Sequence, residues 1–245
     1  MSDAFPSILL LIPAYNEESR IAPVLEDYAV YFREHHPERF SLVVVLNGCT
    51  DDTLSVVENA SRQFPEISHV NIPEPVGKGG ALIEGLKLAP EADLVGYVDA
   101  DGATPPGAFD DLVTECAGAD CVIGSRWLAD SVLHQEQTLR RRFASRAFHA
   151  IIQGFFWMGI RDTQCGAKVM KRAAVEAIHS QLTVADMAFD INLLFALKRS
   201  GFSVLEVPTE WTDQVGSKVE LGRTSFVMLL SVIRLRLYLS LIHIS

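Results

Sequence analysis

No apolar run in this 245-residue chain reaches the roughly 18 to 20 uncharged residues that a membrane-spanning helix needs, so no span through a bilayer is expected. Cysteine is scarce: Cys49, Cys116, Cys121 and Cys165 lie scattered, without histidines at zinc-ligand spacing. With no cleavable apolar leader either, the expectation is reduced thiols and a cytosolic protein. For Cys116 and Cys121, a helix end followed by a strand accounts for the spacing without a metal. Internal repeats and low-complexity linkers are missing. Basic residues are the scarcer charge, 21 Lys and Arg against 31 Asp and Glu. The resulting net charge of -10 excludes general nucleic-acid binding, because a phosphate backbone requires a basic face.

What remains is a chain 49% hydrophobic and 21% charged, which suits one globular domain with a sizeable core. Its positive charge is uneven. Arg140, Arg141, Arg142, Arg146, Arg161, Lys168, Lys171 and Arg172 crowd one stretch in which Asp162 is the only acid. Such a stretch in an acidic chain is expected to face a specific anion or an anionic membrane surface.

Strand and helix signals alternate through the first half. Ile8 to Ile12, Leu42 to Leu46, His69 to Ile72, Leu94 to Val98 and Cys121 to Gly124 read as buried strands. Ile21, Val24, Leu25, Tyr28 and Phe32 recur at helical spacing, Leu54, Val57 and Phe64 mark a second helical face, and Gly80 to Leu88 suits a third helix. The pattern predicts an α/β fold with a mostly parallel sheet and helices on both faces. Ligands of such sheets bind beyond the carboxyl ends of the strands, so the segments after Ile12, Leu46 and Val98 should share a crevice. In the second half, Phe143 to Ile160 and the run from Phe226 combine aromatic and aliphatic residues with flanking arginines, as amphipathic interfacial or core-packed helices do. The last apolar run stops at Ser245 without a cap or polar tail, and the natural chain is expected to extend further.

The most informative segment is Asp99-Ala100-Asp101-Gly102, directly after Leu94 to Val98. A strand that ends in two carboxylates one residue apart offers hard oxygen ligands for Mg²⁺ or Mn²⁺ against a diphosphate, although a polar turn would use the same residues. Pro13-Ala14-Tyr15-Asn16-Glu17-Glu18 and Asn47-Gly48-Cys49-Thr50-Asp51-Asp52-Thr53 occupy the turns after the first two strands, where Asp52 or Thr53 could simply cap a helix. Gly77-Lys78-Gly79-Gly80-Ala81 looks like a phosphate cradle before a helix. It is not a kinase-type P-loop, which would need glycine at Ile72 and a hydroxyl at Gly79, and the dinucleotide fingerprint is missing after the first strand.

Together these segments resemble glycosyltransferase family 2. With Gly124-Ser125-Arg126, the arginine-rich Leu139 to Arg146, Asp162-Thr163-Gln164-Cys165-Gly166-Ala167-Lys168, Ala188-Phe189-Asp190 and Gly216-Ser217-Lys218-Val219, the resemblance narrows to the polyprenyl-phosphate hexose synthases and covers nearly the whole chain. The resemblance implies a GT-A fold, with residues 1–215 as the catalytic domain and 216–245 as its acceptor- and membrane-facing segment. It implies a nucleotide-sugar donor, UDP-glucose or GDP-mannose, and a polyprenyl phosphate acceptor met at the cytosolic face of a membrane. Carried over by position, Asp99 and Asp101 would bind the metal and the donor diphosphate. Pro13, Tyr15, Glu17, Asn47 and Lys78 would line the nucleotide pocket. Arg126, Arg141, Ser145 and Lys218 would anchor phosphate, with Asp162 or Asp190 orienting the acceptor for a direct, inverting displacement. Two segments depart from the pattern: Leu46-Asn47 stands where many relatives have two aspartates after the second strand, and Asn192 where glucosyl-type relatives often have an acid after Phe-Asp-x. The rival readings are a family 2 enzyme for a soluble or polysaccharide acceptor, a noncatalytic nucleotide-sugar module and a nucleotidyltransferase.

Overall fold

The computed structural model describes residues 6–134, 139–212 and 221–242, with the backbone alone at 139–145, 147, 221–226 and 238–242. Nine strands are described: β1 (Ile8–Ala14), β2 (Phe40–Asn47), β3 (Ile67–Ile72), β4 (Leu94–Tyr97), β5 (Cys121–Ser125), β6 (Val132–Leu133), β7 (Lys168–Lys171), β8 (Val204–Pro208) and β9 (Glu210–Trp211). Seven of them form one sheet in the order β3-β2-β1-β4-β7-β5-β8, while β6 and β9 form a separate ribbon. Between them run helices α1 (Ile21–His35), α2 (Thr53–Gln63), α3 (Gly77–Gly85), α4 (Pro106–Glu115), α5 (Leu139–Phe156), α6 (Arg172–Ile178), α7 (Phe189–Arg199) and α8 (Leu221–Ile242).

The unbroken apolar strands follow from burial on both faces. Leu9 and Leu11 of β1 join Val43, Val45, Val95 and Tyr97 under α3, α6 and α7, whereas Ile8, Leu10 and Ile12 join Leu42 and Val44 under α1, α2 and α4. The first cluster continues to Ile152 and Phe156 of α5 and to Val232 and Leu235 of α8. The chain lays β2 and β3 on one side of β1, then crosses to place β4 on the other, in parallel throughout. That reversal opens a crevice between the carboxyl ends of β1 and β4, the position where doubly wound sheets bind ligands.

The parallel sheet with helices on both faces matches the expectation, and Cys116 and Cys121 are indeed a helix end and a strand start, both buried. Strands β7 and β8 carried no sequence expectation. The first is four residues with lysine at each end, and the second is an edge strand that contains Glu206 and stops at Pro208. Strand β7 runs antiparallel between β4 and β5, pairing Tyr97 with Lys168 and Leu94 with Lys171. This reversal corrects the reading of residues 140–172 as one basic surface. Lys168 is fully buried at the carboxyl end of β4, while Lys171 and Arg172 lie at the opposite edge beside Asp120 and Asp93. Helix α5 also stops before Ile160, because Trp157 adopts φ 47° and Gly159 φ 69°.

Candidate active site

The turns after β1 and β2 are laced together by side chains. Asn16, with φ 55°, accepts the Thr50 N–H on its Oδ1 at 2.8 Å, the Glu17 N–H donates to Thr53 Oγ1 at 2.8 Å, and the Asp52 N–H donates to Glu18 Oε2 at 2.8 Å. Asp52 makes no side-chain cap to α2; Asp51 serves that end, accepting from the Thr53 N–H at 3.1 Å and the Thr53 hydroxyl at 2.5 Å. Glu17 is held by a bidentate Arg20, both contacts at 2.8 Å, a partner that the sequence reading missed although Arg20 lies three positions on. Pro13 is half-buried at the end of β1, and Tyr15 stands exposed on the rim. Asn47 is buried and its Oδ1 accepts the Val76 N–H at 2.7 Å, so this side chain fixes the segment leading into α3.

That segment is the expected phosphate cradle, and its glycines pack closely on residues 184–185. Residues 77–81 form the first turn of α3, and the Gly80 N–H donates to the Ala185 carbonyl at 2.9 Å. A Cβ at Gly77 would strike that carbonyl and one at Gly79 the neighbouring Val184 carbonyl. Close packing here delivers Lys78 into the crevice, where Nζ lies 2.5 Å from Asp99 Oδ1 and 3.9 Å from Asp190 Oδ2. Burial opposes the Lys78 charge, but Asp99 and then Asp190 outweigh it and hold the ammonium firmly protonated.

Asp99 and Asp101 leave the end of β4 on a turn bent by Gly102 at φ 73°, and Asp101 Oδ1 accepts the Ala103 N–H at 3.0 Å. Tyr28 of α1 donates to the Thr104 carbonyl at 3.0 Å and the Thr212 N–H, just after β9, to the Ala103 carbonyl at 2.9 Å, so two separate elements steady this turn. Burial and then the neighbouring Asp99 charge raise the Asp101 carboxyl above its ordinary range. A carboxylate so placed is relieved by a cation. Among the described residues no three His, Cys, Asp or Glu side chains converge into a full metal cage. The donor set fits Mg²⁺ or Mn²⁺ all the same, since Mg²⁺ takes one or two carboxylates and completes its shell with water and phosphate oxygens.

Beneath this edge lies a charge network that the sequence reading left incomplete. Asp190, in the first turn of α7, is buried and receives Lys168 Nζ at 2.6 Å and the Tyr97 hydroxyl at 2.5 Å, both on Oδ1. Lys168 also donates to the Cys165 carbonyl at 2.6 Å. Burial alone would raise the Asp190 carboxyl; Lys168 and then Lys78 reverse this and hold it below the ordinary carboxylate range. Asn192 binds the backbone on both sides of its amide, accepting from the Thr183 and Val184 N–H groups and donating to the Gln181 carbonyl at 3.1 Å. An acid there could not donate that bond.

Across the crevice, Arg126 follows β5 and grips Asp162 through Nε at 2.8 Å and Nη2 at 2.9 Å, with its guanidinium 5.3 Å from the Trp211 ring centre. Glu206 of β8 accepts the Arg161 and Asp162 N–H groups at 2.8 and 2.9 Å and fixes this turn. Burial would raise Asp162, but Arg126 dominates and keeps it ionised below the ordinary range. Next in the same loop, Gly166 packs so tightly on Asp99 that a Cβ would overlap the carboxylate. The structure thus brings Asp99, Asp101, Lys78, Asp190, Asp162 and Arg126 to one end of the sheet. Lys218 and the Arg141 and Ser145 side chains lie outside the described residues.

The family model for glycosyl transferase family 2 matches residues 9–178. The chain belongs to glycosyltransferase family 2. Among curated glycosyltransferases it is similar to dolichyl-phosphate beta-glucosyltransferase ALG5C of Trichomonas vaginalis, 32% identical over 222 residues that cover 86% of this chain and 66% of that protein. It is likewise similar to ALG5A of the same organism, 34% identical over 223 residues, 87% of this chain and 68% of that one. The chain thus spans about two thirds of the length of these relatives. A solved structure of glucosyl-3-phosphoglycerate synthase from Mycobacterium tuberculosis, crystallised with Mn²⁺, UDP-glucose and phosphoglyceric acid, superposes with a TM-score of 0.71 at 19% identity, covering 94% of this chain and 80% of that one. At that identity the likeness establishes the GT-A fold.

Proposed function

We propose that this glycosyltransferase moves a hexose, glucose ahead of mannose, from a nucleotide-diphosphate sugar to the phosphate of a polyprenyl lipid of the dolichyl type. One observation carries the reading: the Asp99/Asp101 edge and the Arg126–Asp162 pair share one crevice. They follow strands two places apart, about 10 Å at ordinary strand spacing, so a diphosphate held at the first would face an anion held at the second. Glucose and dolichyl phosphate are the substrates in the names of the relatives. A solved neighbour holds UDP-glucose and Mn²⁺, which supports the metal and favours UDP-glucose over GDP-mannose as donor.

Asp101, with Asp99 beside it, would hold Mg²⁺ or Mn²⁺ at the donor diphosphate. When bound, the cation neutralises charge developing on the departing nucleoside diphosphate. Lys78 holds Asp99 in place through its ion pair. The turns around Pro13, Tyr15, Glu17 and Asn47 border the nucleotide side of the crevice. Arg126 supplies cationic N–H groups to the acceptor phosphate, with Asp162 locking its plane. Neither Asp162 nor Asp190 is a candidate general base at neutral pH, since each is ion-paired and held low. None is required, because a phosphate monoester with a second pKa of about 6 arrives already ionised. A direct displacement with inversion follows.

A lipid acceptor implies a membrane contact at the cytosolic face, made by α5, α8 and the rest of residues 216–245. Trp157 is 88% exposed at the end of α5, and Phe155, Val227, Leu230 and Leu237 are also exposed. Arg146, Arg161, Arg234 and Arg236 are exposed on the same two helices or beside them. No helix among the described residues is long and apolar enough to cross a membrane. The direct test incubates purified protein with polyprenyl phosphate, Mn²⁺ and a panel of UDP- and GDP-hexoses. Glucosylated lipid phosphate with release of UDP supports the proposal. Pyrophosphate release, or transfer only to soluble acceptors, overturns it.

A further inference from the structure

Arg126 is tethered to Asp162, and two buried polar atoms beside it have no partner among the described residues: Ser125 Oγ and His149 Nδ1. Polar groups sheltered from water without a hydrogen bond are rare and call for an explanation. Ser125 ends β5. Its neighbours Cys121 and Ile123 belong to the apolar cluster that contains Ile152 and Phe156 of α5, while Val122 faces the other side, so alternation turns Ser125 toward α5 as well. On α5, His149, Ile152 and Phe156 fall at helical spacing on the face that meets the sheet. The His149 ring packs edge-on against Trp127, the residue after Arg126, with centroids 4.7 Å apart. It is also near enough to Asp162 and Glu206 to feel their charge, though burial prevails and keeps the ring neutral.

We propose that Ser125 and His149 are further binding residues for the acceptor phosphate, giving it hydroxyl and imidazole hydrogen bonds beside Arg126. The inference rests on the lipid-phosphate reading above. An arriving phosphate monoester carries more lone pairs than one guanidinium can serve, and Arg126 already spends two of its five N–H groups on Asp162. A neutral imidazole and a serine hydroxyl add donors without adding charge. Among the described residues neither atom has another partner, and a bound phosphate would account for both orphaned atoms at once.

Ser125→Ala and His149→Phe test this, the second keeping a ring against Trp127 while removing both nitrogens. Steady-state kinetics with UDP-glucose and a short-chain polyprenyl phosphate should show the acceptor KM raised about tenfold in each variant, as loss of a hydrogen bond to a charged group predicts. The donor KM should stay within about twofold of wild type, and His149→Asn, which restores an N–H, should recover part of the loss. Because each change removes an unpartnered group, melting temperatures should hold or rise. Wild-type acceptor KM in both variants, with the wild type active, overturns the inference alone. No transfer to polyprenyl phosphate by the wild type with any donor overturns it together with the functional reading.

Discussion

Single residues in this crevice divide by what surrounds their charge. Asp101 is raised by burial and by Asp99, so the donor-free protein gains nothing from its ionisation. Asp101→Asn is therefore expected to lower turnover by on the order of a hundredfold or more, as removal of transition-state charge stabilisation does, while the donor-free melting temperature holds or rises. Kinetics with and without chelator beside thermal melts check this, and full activity of the variant would contradict it. Asp190 is the opposite case. Its carboxylate balances a fully buried Lys168, and Asp190→Asn strands that ammonium at a cost of about 3–5 kcal/mol. The sign of the pH effect follows from the lowered carboxyl: its stabilisation is complete above the unfolded carboxylate range and disappears as pH falls through the folded value. Melting curves from about pH 6 down to about pH 2 should show a shallower acid limb in the variant. An unchanged limb would remove Asp190 from the network.

Elements place these residues, and the loop before β7 does so at closest range. Gly166 lies against Asp99, and Gly166→Ala should force the carboxylate aside, costing about 1–3 kcal/mol and raising the donor KM while the acceptor KM changes less. Equal donor kinetics would show that the contact is slack. The same loop marks how far sequence carries. Strands β1, β2, β4 and β5 were legible because burial on both faces writes itself as unbroken apolar runs. Asp99 and Asp101 were legible because such a run ends on them. Strand β7 was not, because its lysines look solvent-facing until the antiparallel pairing with β4 buries Lys168. Nor could spacing reveal that Asp162, the one acid of the basic stretch, is the partner of Arg126, since they are brought together only by the neighbouring strands β5 and β7. The glycines of 77–81 had the right composition for a phosphate cradle, and only their contact with Val184 and Ala185 shows a packing role.

For the whole molecule, the proposed donor site lies at the centre of the sheet, and Phe155, Trp157, Val227, Leu230 and Leu237 expose apolar surface on or beside α5 and α8. That division predicts membrane attachment governed by both burial and charge. In flotation assays the protein should rise with anionic vesicles at low salt and less so with neutral vesicles or at high salt, and Trp157→Ser should weaken flotation without lowering stability. Protein that never floats would leave α5 and α8 without a lipid role. The central claim, that the crevice joins a sugar to a lipid phosphate, has a sharper test. Purified protein is given radiolabelled UDP-glucose and Mn²⁺ with either polyprenyl phosphate or the matching polyprenol, and label in the lipid phase is counted. The account predicts glucosyl polyprenyl phosphate from the first and nothing from the second, whereas equal labelling of the alcohol, or none of the phosphate, would contradict it.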